Sequence, residues 1–190
     1  MNKNLLIALA LCAAPAMAAP ALTLKPAQQD RSLTVAAEYT RYDAALDTTS
    51  IGGTVKFDKV LAPMNHGNYW SWNAAFSYGA GTVDNGKGAN DTDFTTMDFR
   101  LGIDANIVTS KKLTVFVGPR VGYSIMDTDL PNTDKTKSIM FGFSVGARYL
   151  TNGGTGIEVG YTKGYFNNTE DNFGMNDDTH SFYAGVSFGF

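Results

Sequence analysis

The chain has 190 residues, of which 44% are hydrophobic and 17% are charged, and its formal net charge at pH 7 is −3. A mildly acidic balance of this kind gives no support for nucleic-acid binding. The single cysteine, Cys12, lies close to the N-terminus. The rest of the chain therefore has no thiol for a disulfide or a cysteine-based metal site.

The N-terminal segment is typical of a secretory signal peptide. Lys3 supplies a positive charge, residues 5–14 form a short apolar core, and the segment ends in the small-residue cleavage pattern Ala16-Met17-Ala18. We therefore expect residues 1–18 to be removed. Residues 19–31 contain two prolines and no sustained period, which predicts a short extended leader ahead of a single domain at 32–190.

From residue 33 onward, apolar and polar side chains alternate with a period of two, which is typical of β-strands. The predicted strands are 33–42, 51–60, 69–79, 94–108, 113–126, 138–150, 156–166 and 179–190. Longer connections rich in Asp, Asn, Gly and Thr follow the odd strands, and shorter ones follow the even strands. This rhythm predicts an up-and-down antiparallel meander with one loop end and one turn end.

Bulk and charge decide which face of the predicted strands points inward. One face carries many large aromatic residues, among them Trp70, Phe76 and Phe141, which exceed what an eight-stranded interior can hold. Charges on this face occur only at strand ends, where a lipid-facing charge costs far less than the roughly 2 to 4 kcal/mol it costs at the bilayer midplane. The sequence therefore predicts an all-β, eight-stranded antiparallel transmembrane β-barrel with its apolar face outside. A soluble periplasmic barrel is the structural alternative.

The last predicted strand reads THSFYAGVSFGF and ends on an aromatic residue. With this ending and the eight-strand rhythm, the chain resembles the small outer-membrane barrels of the OmpX-like, opacity-type and OmpA transmembrane-domain groups. The resemblance implies a monomer in a Gram-negative outer membrane, with periplasmic termini, in contact with lipid and lipopolysaccharide. It also implies that Phe182, Phe188 and Phe190 form the signal presented to the barrel-assembly machinery.

Nine charged residues fall on the predicted inner face: Glu38, Lys56, Asp58, Asp98, Arg100, Asp104, Arg120, Arg148 and Glu158. Four cations and five anions nearly cancel, as buried charges must. We expect Arg100 and Arg120 to lie side by side, bridged by Glu38, Asp58 or Asp98, and Arg148 to pair with Glu158. Such a network is either a gate or proton path, or a structural plug; the plug is favoured because eight strands leave no continuous channel.

Catalytic and metal sites are weakly supported. His180 and Ser181, near Asp177 and Asp178, are the candidate nucleophile set, but neighbouring residues on a strand point to opposite faces. His66 lies at the opposite end of the barrel. The acidic connections match no EF-hand spacing. We therefore predict no catalytic residue, metal site or cofactor.

The predicted role is that of a non-enzymatic outer-membrane protein that supports membrane integrity and presents surface loops for contact or adhesion. Two alternatives remain open. One is a narrow channel for small or hydrophobic molecules, and the other is an enzyme that modifies lipid A.

Overall fold

A computed structural model describes residues 30–43, 48–83, 92–128, 135–151, 155–168 and 178–190. The predicted signal peptide at 1–18 and all but the end of the leader lie outside the described residues, as does Asp177. Arg31, which we assigned to the leader, instead begins the first strand, because it pairs with Lys59 in the sheet.

Eight strands form where alternation predicts them. They are β1 (Arg31–Tyr42), β2 (Thr48–Pro63), β3 (Tyr69–Val83), β4 (Thr92–Val108), β5 (Leu113–Thr128), β6 (Thr136–Leu150), β7 (Thr155–Asn168) and β8 (Asp178–Gly189). Most extend beyond their predicted bounds, since ladder pairing continues into the flanking polar residues. Among the described residues, no helix is long and apolar enough to cross a membrane.

Each strand runs antiparallel to both neighbours, and β8 pairs with β1, so the sheet closes into a barrel. At the seam the Phe190 N–H donates to the Arg31 carbonyl at 3.0 Å. Closure pairs the backbone groups that an open sheet edge would leave exposed, which an apolar membrane requires. The predicted fold class is confirmed.

The two faces of the sheet differ as the alternation predicts. Large apolar side chains on the outer face stay exposed, with Trp70 at 42%, Phe76 at 50% and Phe141 at 55%. The inner face is largely polar, and its Ser, Thr, Asn and charged side chains are buried. The hydrophobic surface of this protein is therefore its outside, which suits a lipid environment.

Two irregularities interrupt the ladders. The β2–β3 register shifts between Val60 and Ala62, which is a β-bulge. A proline inside a strand loses a ladder hydrogen bond, which predicts a second bulge near Gly118 and Pro119, and this prediction is wrong. The β4–β5 ladder skips these two residues but keeps its register on both sides, because proline lacks the N–H for a ladder bond while β6 continues to pair with Pro119.

Candidate functional site

The interior of the barrel, here called the lumen, is the candidate site because the sequence places most of its buried charge there. All nine residues of the predicted network point into it. Eight of them are buried, and the side chain of Arg148 retains 12% exposure. They form three groups: the four charges around Glu158, here called the central group because it is the largest, and two smaller groups around Glu38 and Asp104, called the loop-side and turn-side groups.

The central group is built around Glu158 on β7, whose side chain is fully buried. Its carboxylate accepts hydrogen bonds from Lys56 Nζ at 2.7 Å and from Arg148 Nε at 2.7 Å. Lys56 also lies 3.2 Å from Asp58, and Arg148 reaches the same Asp58 at 3.2 Å. Two cations and two carboxylates thus form a closed ring of contacts in which each charge has two opposite partners.

Two aromatic rings hold Lys56 in place. Its ammonium lies 4.2 Å from the ring centroid of Phe116 and 5.9 Å from that of Tyr183, distances typical of cation–π contacts. The Tyr183 hydroxyl also donates to Glu158 at 2.9 Å. Aromatic surface therefore covers Lys56, and the Tyr183 hydroxyl joins that surface to the carboxylate of Glu158.

Glycines make room for these rings. Phe116 lies directly opposite Gly146, and Tyr183 directly opposite Gly160. A Cβ atom at either glycine would collide with the ring facing it. These two glycines therefore leave the space that the aromatic rings of the neighbouring strands occupy.

The loop-side group centres on Glu38 of β1. Arg100 donates to both of its carboxylate oxygens, at 2.8 and 2.6 Å, and Ser77 donates to it at 2.9 Å. Arg100 also contacts the Ser77 hydroxyl. Asp98 is buried on the same face of β4, two residues before Arg100.

The turn-side group centres on Asp104 of β4. Arg120 lies 2.7 Å from its carboxylate, and the Asn73 amide donates to it at 2.8 Å. The second guanidinium nitrogen of Arg120 donates to the Pro119 carbonyl at 2.9 Å. This carboxylate, like Glu38, is thus held by one arginine together with neutral polar donors.

The expected bridge between Arg100 and Arg120 is not formed. Arg100 lies opposite Gly122 and Arg120 opposite Gly102, so the two arginines are offset diagonally and do not face one another. Each has its own carboxylate, Glu38 for Arg100 and Asp104 for Arg120. The prediction failed because it placed the two arginines at the same level along their strands. The register of β4 and β5 was not known from the sequence, and it shifts them apart by two residues.

A second cluster, which the sequence analysis missed, closes the lumen toward the loops. Its members are the buried residues Tyr42, Val83, Phe94, Met126, Met140 and Phe166, here called the apolar cap. The Tyr42 ring meets Phe94 edge-on at 6.1 Å and stacks on Phe166 at 6.4 Å. The alternation of side chains could have revealed this cluster. Tyr42 lies on the same face of β1 as Glu38, and Phe94 lies on the same face of β4 as Asp98, so both rings must point into the lumen.

Little empty space remains between these groups. Two cavities inside the described part of the barrel have volumes of about 20 and 10 Å³. A single water molecule needs roughly 10 to 15 Å³. Each of these cavities has room for about one water and neither forms a passage.

The candidate nucleophile pair is separated. Ser181 points inward, where its hydroxyl lies 2.9 Å from Thr40 Oγ1. His180 points outward at the loop end, with its Nδ1 2.6 Å from the Tyr161 hydroxyl and its Nε2 3.0 Å from Asp43. His66 lies in the exposed turn between β2 and β3, at the other end of the barrel. Within the described ranges, no group of three His, Cys, Asp or Glu residues is arranged to hold a metal ion.

The residues of the predicted assembly signal all lie on the outer face of the last strand or at its end. Phe182 and Phe190 are 51% and 50% exposed, and the Phe190 ring is 6.3 Å from that of Phe57. Their role in assembly stays a prediction.

A closed sheet with an apolar outside and a filled, charge-paired inside defines a membrane-spanning β-barrel. The chain belongs to the outer membrane protein beta-barrel domain family, whose model matches residues 5–190. It is accordingly a protein of the bacterial outer membrane, in contact with the lipid of that membrane.

Solved structures of small outer-membrane barrels share the fold. Neisserial surface protein A superposes with a TM-score of 0.61 at 17% identity, covering 85% of this chain and 97% of its own. The outer membrane protein OprG from Pseudomonas aeruginosa gives 0.56 at 15% identity, with 86% and 97% covered. Ail, the attachment invasion locus protein of Yersinia pestis, gives 0.53 at 12% identity, with 86% and 100% covered. A comparison with curated protein sequences finds no significant match.

Proposed function

We propose that the protein is a non-enzymatic, monomeric barrel that supports the integrity of the outer membrane and presents its longer connections at the cell surface. The observation that carries this proposal is the filled lumen. Paired charges fill the lumen below the apolar cap, which closes its loop side, so the described barrel has no passage for a solute. A barrel that transports nothing can act through its outer surface and its loops.

In the proposed orientation both termini lie in the periplasm and the four longer connections lie outside the cell. One structural neighbour, Ail, is named for attachment and invasion, so the same fold is compatible with surface contact. The four connections contain residues 44–47, 84–91, 129–134 and 169–177, which lie outside the described residues. Their sequences, rich in Asp, Asn and Gly, suit solvated surface loops.

Conductance measurements test the filled lumen directly. We expect the refolded wild-type barrel in planar bilayers to give no discrete current steps, while a large open porin in the same bilayer gives them. Arg100→Ala should lower the midpoint of thermal unfolding because it leaves Glu38 buried without its cation. Steady conductance by the wild type, or by Arg100→Ala with unchanged thermal stability, would contradict the plug and favour the narrow channel.

Membrane integrity and surface contact can be separated in cells. A strain lacking the protein should admit more of a hydrophobic dye, and the wild-type gene should restore exclusion. A variant with residues 84–91 and 129–134 replaced by Gly and Ser of equal length should also restore exclusion but lose binding to target cells. The matched control replaces the turn at 109–112 in the same way and should keep both properties. Full surface binding by the loop variant would contradict the assigned role of the loops.

Lipid A mass spectra test the non-enzymatic assignment. We expect identical spectra from cells with and without the protein. A mass difference that disappears in His180→Ala would identify an enzyme and overturn the assignment.

The outer-face aromatic residues of β8 are proposed to be recognised by the barrel-assembly machinery. Phe190→Ser should reduce the amount of heat-modifiable, assembled protein in cells while leaving refolding in detergent unchanged. Ile107→Ser, which alters an apolar side chain exposed on the outer face at the same end of the barrel, serves as the control. Equal loss in both variants would indicate a general effect of outer-face polarity.

A further inference from the structure

Three basic side chains lie together at one place on the outer face of the barrel. Arg41 of β1, His180 of β8 and Lys163 of β7 are register partners in a row across three adjacent strands. All three point outward at the loop end of their strands. Neighbouring strands lie about 4.8 Å apart, so the backbones of Arg41 and Lys163 are separated by about 10 Å.

Two carboxylates organise this row. Asp43 lies 3.0 Å from Arg41 Nε and 3.0 Å from His180 Nε2, so it serves two basic side chains at once. Asp178 lies 2.8 Å from Lys163 Nζ. Three basic side chains thus face two carboxylates, and the side chains of Arg41 and Lys163 remain 52% and 41% exposed.

An aromatic row lies one step closer to the turn end. Tyr39, Phe182 and Tyr161 are register partners on the same three strands, two residues from the basic row. The rings of Tyr161 and Phe182 are 4.8 Å apart, and the Tyr161 ring also stacks on His180 at 6.0 Å. The Tyr161 hydroxyl and Asp43 each bind one ring nitrogen of His180, which fixes the orientation of the imidazole.

An open cleft joins the two rows. Its volume is about 510 Å³, and it is lined by Tyr39, Arg41, Asp43, His180 and Phe182. The charged end of the cleft lies toward the loops and its aromatic floor lies toward the membrane. An amphiphile with an anionic head and apolar chains would match both ends.

We propose that this rim cluster, formed by Arg41, His180 and Lys163 above Tyr39, Tyr161 and Phe182, binds the phosphorylated headgroup of an outer-leaflet glycolipid. The Arg41 guanidinium binds one phosphate through its planar N–H donors, and Lys163 contacts a second anionic group as a point charge. The acyl chains pack on the aromatic row. The spacing of about 10 Å between the two strands selects a headgroup with two anionic groups over one with a single phosphate.

This inference deepens the proposed function, since it rests on the proposed orientation with loops outside and names where the barrel holds the membrane lipid. It can be tested independently of orientation. The probe is diphosphoryl lipid A, added with EDTA to the full mature barrel in detergent micelles, with the bound lipid counted by native mass spectrometry. Monophosphoryl lipid A and inorganic phosphate are run beside it.

The decisive variant is the double substitution Arg41→Gln with Lys163→Gln, which removes two positive charges from the row. We expect binding of diphosphoryl lipid A to fall at least about tenfold, since two charge-assisted contacts are lost. The matched control is Arg31→Gln with Lys59→Gln, which removes the same charge from two exposed register partners at the turn end. It should bind nearly as well as the wild type, and inorganic phosphate should compete poorly.

A second double variant is expected to strengthen binding. It keeps the test valid if the first double variant does not fold. Asp43→Asn with Asp178→Asn releases the basic row from its carboxylates, so we expect tighter binding of the same probe by several-fold. Heat-modifiable gel mobility checks that each variant is folded. Equal weakening by the rim and turn-end charge variants would show unspecific electrostatics and overturn the site, and weaker binding by the Asn variant would overturn direct contact between these cations and phosphate.

Discussion

The two halves of the lumen are filled by different physical means. The central, turn-side and loop-side groups fill it with charges that, apart from Asp98, have an oppositely charged partner, as Glu158 has Lys56 and Arg148. The apolar cap fills the mouth with rings and sulfurs such as Phe94 and Met140 that have no directional requirement. The stability of the charged groups therefore depends on the geometry of their contacts, whereas that of the apolar cap depends on the volume of its side chains.

This difference predicts how each half tolerates substitution. Removing one member of a buried ion pair leaves the other without compensation, which is costly whatever the shape of the replacement. Apolar side chains tolerate exchange when total volume is kept. Conservative substitutions should therefore separate the two halves more clearly than truncations.

The largest effect is expected for Glu158→Ala. It leaves Lys56 and Arg148 buried with Asp58 as their remaining shared carboxylate, and should lower the free energy of unfolding by about 3–5 kcal/mol. Urea-dependent unfolding in lipid vesicles, followed by heat-modifiable gel mobility, measures it. Adding Lys56→Met to Glu158→Ala should recover part of the loss, and a double variant worse than the sum of the singles would contradict the pairing.

Arg148→Lys keeps the positive charge but removes the planar guanidinium, whose nitrogens can bind two carboxylates at once. Arg148 reaches Glu158 with Nε and Asp58 with a terminal nitrogen, whereas a lysine offers one compact ammonium. We expect a loss of about 1.5–3 kcal/mol in the same unfolding assay. Arg31→Lys at the exposed rim is the control and should change stability by less than about 0.5 kcal/mol. A comparable cost for both would mean that the geometry of the central group is unimportant.

Gly160→Ala adds one methyl group between the strand and the Tyr183 ring. The ring must move, and its hydroxyl then loses its 2.9 Å hydrogen bond to Glu158, so we expect a loss of about 1–3 kcal/mol. Gly53→Ala is the control, because a Cβ there would lie 3.6 Å from its nearest neighbour, the Ala36 carbonyl oxygen. If both variants unfold at the same urea concentration, the space that Gly160 leaves for the Tyr183 ring does not contribute to stability.

Met140→Leu in the apolar cap should have the smallest effect. Its volume is nearly conserved, so we expect a loss below about 1.5 kcal/mol. Met97→Leu on the outer face, where the side chain is 37% exposed, provides the baseline. If Met140→Leu costs as much as Arg148→Lys, the distinction between the two halves of the lumen fails.

The sequence predicted the barrel well because alternation is a local property. The parity of Arg100 or Glu158 within its strand is enough to place it inside, and the bulk of residues such as Phe141 is enough to place the apolar face outside. Strand ends were predicted less accurately, since pairing continues past the alternating residues. The effect of Pro119 was also not predicted correctly, because its missing N–H interrupts one ladder without shifting the register.

Partners across the lumen could not be predicted in the same way. Lys56 and Glu158 are far apart in the chain and meet only because the closed sheet brings β2 opposite β7. Such contacts depend on the stagger of all strands together, which no single segment encodes. The same reason explains why Asp104, and not one of the expected carboxylates, holds Arg120.

The hydrogen bond between Phe190 and Arg31 joins two residues at opposite ends of the barrel sequence. Contacts of such long sequence separation demand the largest loss of chain entropy before they return any stabilisation. The seven other ladders join strands that are neighbours in the chain and can form as hairpins. We expect closure at this seam to be the slow step of folding, so the barrel passes through an open sheet whose two free edges are β1 and β8.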